Sequence, residues 1–195
     1  MRKILLVLFM CFISSYAFSA KDANWVIKKV KVEEDSFAKI KRTIFPKIDY
    51  RQVSPSEVKE KTGISVWSSP NFTYNIIIVE DLKTNIKTIK IMTKENLLNL
   101  AGDKDFPNYT KALDAQGVEL NFQTEEKYEP KKYGSAFKQS YPSETFSITI
   151  TKDYLEKFRE DGLVIKIYGE RESPIYHISS FYIDGVLKYL DKADK

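Results

Sequence analysis

The sequence predicts a mainly β fold with short helices (α+β): an antiparallel β-sandwich or curled sheet with a C-terminal helix packed on it. Three observations lead there. Stretches in which apolar and polar residues alternate, the mark of a half-buried strand, outnumber stretches of helical spacing by about eight to four. The links between them are mostly of hairpin length, which favours antiparallel neighbours. No repeat, low-complexity tract or interdomain linker divides the chain, so residues 20–195 are expected to form a single β-rich globular domain.

Residues 1–19 read as a signal peptide. Arg2 and Lys3 precede an unbroken apolar run from Ile4 to Ile13, and Ala17 and Ser19 supply small side chains for cleavage after Ser19. The run is far shorter than the roughly 20 residues a membrane span requires. Cys11 follows Leu8-Phe9-Met10, where lipid attachment would want small residues.

Beyond the signal, Val26, Val30 and Val32 suggest a strand from Trp25 to Val32. Ser54-Pro55-Ser56-Glu57 has the cap, first-turn proline and N3 acid of a helix start, with Gly63 as its stop. Ile64 to Trp67 and Phe72 to Val79 flank the turn Ser68-Ser69-Pro70-Asn71 as two strands, and Ile76-Ile77-Ile78-Val79 suits a sheet centre. Ile86, Ile89 and Ile91 continue as another strand, after which Thr93 is placed to cap one helical turn ending at Gly102. Asp114-Ala115-Gln116-Gly117 has the Asp-first, Gly-fourth order of a type I turn joining Tyr109–Leu113 to Val118–Phe122. Residues 125–143 show no period and carry Pro130, Gly134 and Pro142, so they read as a long connection.

The last third has the plainest pattern. Phe146, Ile148 and Ile150 alternate as a strand; Thr151 caps a helix bearing Tyr154, Leu155 and Phe158, closed by Gly162. Leu163, Ile165 and Ile167 form the next strand, Ile175–Ile178 its hairpin partner, and Ile183, Leu187 and Leu190 line one side of the closing helix.

Removing Arg2 and Lys3 lowers the formal charge from +4 to +2, and removing Cys11 leaves no thiol, so the mature chain must be held by its core rather than by disulfides. Residues 26–51 carry eight basic side chains against four acidic ones. That bias reads as the lysine guard of an exposed edge strand. Nucleic acid is a poor partner for an exported chain of such weak charge.

The residue inventory offers little chemistry. His177 is the sole histidine and lies in a short apolar strand, where a structural role is expected. Gly63-Ile64-Ser65-Val66-Trp67 lacks the second glycine and the strand-then-helix setting of a nucleophile elbow. Asp103 and Asp105 lack the bending glycine and distant glutamate of a calcium loop, and no cofactor motif is present, so neither metal nor cofactor is expected. Asn71 and Asn108 head N-glycosylation sequons that matter only in a eukaryotic secretory route.

One surface stands out. Tyr128, Tyr133, Phe137 and Tyr141 are interleaved with Lys127, Lys131, Lys132 and Lys138, and aromatic faces beside ammonium groups suit contacts with sugars or proteins. Tyr128, Lys132, Tyr133, Phe137 and Tyr141 are therefore the candidate binding residues, with burial against the sheet as their competing fate. The chain reads as an exported, periplasmic, non-enzymatic binding or accessory protein of the bacterial cell envelope, its partner an envelope protein or a glycan. The alternatives are a secreted factor acting on a host or competitor, and a glycan hydrolase using paired carboxylates.

Overall fold

A computed structural model describes residues 21–49, 71–96, 106, 108–128, 143–170 and 175–193. The signal peptide, the helix expected from Ser54 and the strand Ile64–Trp67 lie outside the described residues.

Asp22 opens the structure as an N-cap, its carboxylate accepting the Trp25 N–H at 2.8 Å, and so residues Ala23–Lys28 wind into helix α1. This corrects the strand expected over Trp25–Val32. Val26 and Val30 are four apart as well as an even number apart, so they fit either period, and the cap decides for the helix. The first strand, β1, begins only at Lys31 and runs to Asp35, exposed throughout as an edge strand. Of the basic residues within 26–51, Lys28 belongs to α1, Lys31 to β1, and Lys41 and Arg42 to β2, with Lys41 paired to Glu80 at 3.4 Å.

The strands that follow are β2 (Ile40–Ile44), β3 (Ile48–Asp49), β4 (Asn71–Asp81), β5 (Ile86–Asn96), β6 (Lys111–Asp114), β7 (Glu119–Tyr128), β8 (Ser143–Ile150), β9 (Leu163–Tyr168) and β10 (Tyr176–Ile178). Helix α2 spans Lys152–Glu156 and α3 spans Ser180–Ala193. All pairings are antiparallel, in the order β1-β2-β4-β5-β8-β7-β6-β9-β10, with β3 also against β4. The result is one curled sheet that does not close, with the C-terminal helix packed on it.

Three turns share one device. Asp35 accepts the N–H groups of Phe37 and Ala38, Asp81 those of Lys83 and Thr84, and Asp114 those of Gln116 and Val118. The predicted Asp114 hairpin is present, and Thr151 caps α2 through the Tyr154 N–H as predicted.

Two further expectations fail for one reason. Thr93 does not cap a helical turn: it sits buried within β5, opposite Phe146 of β8. Residues Glu125–Tyr128 do not begin a connection; they complete β7, after a bulge between Thr124 and Glu126. In both places a neighbouring strand supplies hydrogen-bond partners beyond the point where the apolar alternation fades.

The core lies on one face of the sheet. Tyr74, Ile76 and Ile78, then Ile89 and Ile91, then Phe146, Ile148 and Ile150 point inward from β4, β5 and β8. The curl brings Ile165, Ile167 and Ile178 from the other half of the sheet to the same small cavity of about 10 Å³ that Tyr74, Ile91 and Ile148 line. Helix α3 buries Tyr182, Ile183, Val186, Leu187 and Leu190, and its Gly185 takes α1 at close range: a methyl there would lie 2.6 Å from Val26 Cβ and 2.9 Å from the Ala23 carbonyl oxygen. Lys152 and Arg159 reach from α2 and the turn after it to Asp191 and Asp184 of α3.

Tyr182 also repairs the sheet. Strands β2 and β3 lie end to end against β4, interrupted by Phe45-Pro46-Lys47, and Pro46 has no N–H to offer. The Tyr182 hydroxyl fills the break, accepting the Ile76 N–H at 3.0 Å and donating to the Pro46 carbonyl at 2.9 Å.

Candidate functional site

Of the predicted binding residues, Tyr128 is at the end of β7, 44% exposed and opposite Ser143. Lys132, Tyr133, Phe137 and Tyr141 lie outside the described residues, as do Ser65, Asp103 and Asp105. The neighbouring Lys127 belongs to β7, where it faces Glu144 and stacks its ammonium 5.7 Å from the Phe106 ring centre.

His177 is wholly buried in β10, against the backbone of Gly162. Gly162 has a φ of +76°, and a methyl on it would lie 2.7 Å from His177 Nε2. That enclosure gives a substrate no path to the imidazole.

Two features carry polar chemistry. The first is a row across the inner face at one end of the sheet. Glu95 of β5 stands directly opposite Glu144 of β8, which in turn stands opposite Lys127 of β7. Glu95 is 9% exposed and Glu144 not at all. Tyr109 donates its hydroxyl to Glu95 at 2.5 Å, and the Lys127 ammonium lies 4.0 Å from Glu144. Burial pushes the Glu95 carboxyl up to about 7, against the Tyr109 hydrogen bond and aided by the Glu144 charge. Burial raises Glu144 as well, opposed by Lys127 and by the Tyr109 N–H. Glu95 therefore spends much of its time protonated at neutral pH, which spares the sheet two facing buried charges. Such a pair is of the kind that glycoside hydrolysis uses, and in this structure Glu144 is wholly covered and Glu95 nearly so. No third His, Cys, Asp or Glu joins them in a metal-binding group among the described residues.

The second feature is a groove of about 390 Å³ on the opposite, solvent-facing side of the sheet. Its floor is Ile77 and Val79 of β4 with Met92 of β5; its sides are Arg42 of β2, Thr88 and Lys90 of β5, and Glu125 of β7. Register explains the assembly. Arg42 and Thr88 flank Val79 from either side, and Lys90 is opposite Ile77. Glu125 is the bulge residue of β7, turned by the bulge so that it accepts from Lys90 at 3.0 Å and from the Ser147 hydroxyl at 2.6 Å. Those two bonds hold its carboxyl below the usual carboxylate range.

The groove was partly visible in the sequence. In a sheet with one face on the core, the outward positions should be polar, and Ile76-Ile77-Ile78-Val79 breaks that rule. Reading the run as a sheet centre accounts for Ile76 and Ile78 but leaves Ile77 and Val79 outward. The contributions of Arg42, Met92 and Glu125 depend on strand order, which local patterning does not specify.

No helix among the described residues is long and apolar enough to cross a membrane. No family model, curated protein or solved structure matches this chain, so function is to be read from the groove and the carboxylate row themselves.

Proposed function

We propose that the protein is an exported, non-enzymatic binding or accessory protein of the bacterial cell envelope that holds its partner through the outward face of β2, β4 and β5. The groove carries this reading. A surface that sets an apolar floor among a few fixed charges offers a partner both contact area and orientation, and this groove has such a lining. Export is supported by the order of residues 1–19, and the non-enzymatic reading by the sealing of Glu95, Glu144 and His177.

Between the two partner classes, the floor favours protein. Sugars are held by stacking on aromatic rings, and none of the lining residues of the groove is aromatic.

The test is an affinity capture from the envelope fraction of the producing cell, with the unaltered protein and with Ile77→Ser/Val79→Ser. Both substitutions are on the solvent face, and a matching thermal melt checks that the variant is folded. A partner retained only by the unaltered protein supports the reading. Equal capture by the two proteins removes the groove from it. Fractionation tests the address: recovery in the periplasm agrees with envelope binding, whereas recovery in the medium moves the partner outside the cell.

A further inference from the structure

We propose that the groove receives an extended segment of a partner protein, seating an aliphatic side chain on Ile77, Val79 and Met92 and setting a neighbouring carboxylate against Arg42. The inference rests on the binding reading above and names the chemistry of the partner.

Charge accounting within the groove leads to Arg42. Lys90 is engaged by Glu125 at 3.0 Å, and Glu125 is held a second time by Ser147, so neither presents a free charge to a ligand. The neighbour of Arg42 in β2, Lys41, is engaged by Glu80. Arg42 is exposed, and among the described residues no carboxylate forms an ion pair with it, although Glu33 stands opposite it in β1. The groove therefore pairs an apolar floor with one uncompensated cation. A guanidinium has the planar fork that takes a carboxylate through two parallel hydrogen bonds, and beside an apolar floor that contact is partly shielded from water.

The shape points to a polypeptide rather than a free amphiphile. Ile77 and Val79 alternate along one strand, so their side chains repeat at roughly 6.6–6.8 Å. That is the spacing at which an extended partner strand presents every second side chain. A shallow groove on a sheet face also leaves one side of its occupant uncovered, and a lone acyl chain would keep that side in water. An extended polypeptide turns its alternate, polar side chains to that water.

The experiment selects peptides from a random 12-residue display library on the immobilised protein, and in parallel on Arg42→Glu and on Ile77→Ser/Val79→Ser. Peptides enriched on the unaltered protein are expected to carry Leu, Ile, Val or Met within two residues of Asp or Glu. Replacing that acid by its amide in a synthetic copy should weaken binding about 5- to 20-fold. On Arg42→Glu the acid should disappear from the enriched set or be replaced by Lys or Arg, and on the double variant enrichment should be lost. Enrichment of acid-free peptides, indifference to Arg42→Glu, or no enrichment at all overturns the proposal. Its failure is separable from that of the parent reading. If envelope capture depends on Ile77 and Val79 but not on Arg42, the binding function stands and the acidic partner falls.

Discussion

Two side chains show how this fold handles polar groups in its interior, and each gives a measurable consequence. The Tyr182 hydroxyl bonds both lips of the break between β2 and β3, so Tyr182→Phe leaves the Ile76 N–H and the Pro46 carbonyl without that partner. An unsatisfied buried backbone group costs about 1–3 kcal/mol, and the variant is expected to lose stability of that order, read as a lower urea midpoint with an unchanged slope. A loss near zero would mean that water serves the break equally well. Glu95 gives a pH signature. Its carboxyl is at about 7 in the folded protein against an ordinary value of 4.5, so the native state binds the proton more tightly than the unfolded chain. Stability from this group is full below about pH 4.5 and is lost as the pH rises through 7. Glu95→Gln cannot lose a proton, so relative to the unaltered protein it should gain on the order of 1–3 kcal/mol between pH 5 and pH 8. Urea midpoints at the two pH values decide the matter, and a difference that does not change with pH would show that Glu95 titrates normally.

At the scale of elements, the contact between α1 and α3 is set by one residue without a side chain. Gly185→Ala would put a methyl 2.6 Å from Val26 Cβ and 2.9 Å from the Ala23 carbonyl oxygen, so one helix must move. Although alanine is the better helix former, overpacking should prevail, with a net loss of about 1–3 kcal/mol that combines less than additively with that of Val26→Gly, which removes the Cβ atom standing in the way. Additive losses in the double variant, followed by thermal denaturation, would show that the two residues do not meet. The same helices show what local pattern can and cannot convey. In α3, Ile183, Leu187 and Leu190 keep the helical period and face the core as expected, because burial on one side of a helix is written into spacing. Around α1, Val26 within the helix and Val30 just past its end satisfy two periods at once, and the Asp22 cap settles the choice.

At the scale of the whole molecule, the antiparallel curled sheet was legible because alternation and turn chemistry are local properties. Asp114-Ala115-Gln116-Gly117 and Thr151 each perform the job their residue type suggests, whereas α2 ends at Glu156, before Phe158 and before the expected stop at Gly162, which instead takes a positive φ in the turn that follows. The candidate site was mostly not legible. Glu95 and Glu144 are 49 positions apart, within a sequence rich in acids, and they face each other only because β5 pairs with β8. Arg42 and Met92 border one groove only because β4 lies between their strands. Such information resides in strand order, and a single sequence shows strand order only where short hairpins dictate it. The union of α1 with α3 has a last consequence, for how the protein is made. The first described helix waits for the last, and Tyr182, which closes the break beside β4, also arrives late in synthesis. A ribosome-bound chain still missing α3 has its sheet unsealed and part of its core open, so folding is completed only after α3 has been synthesised.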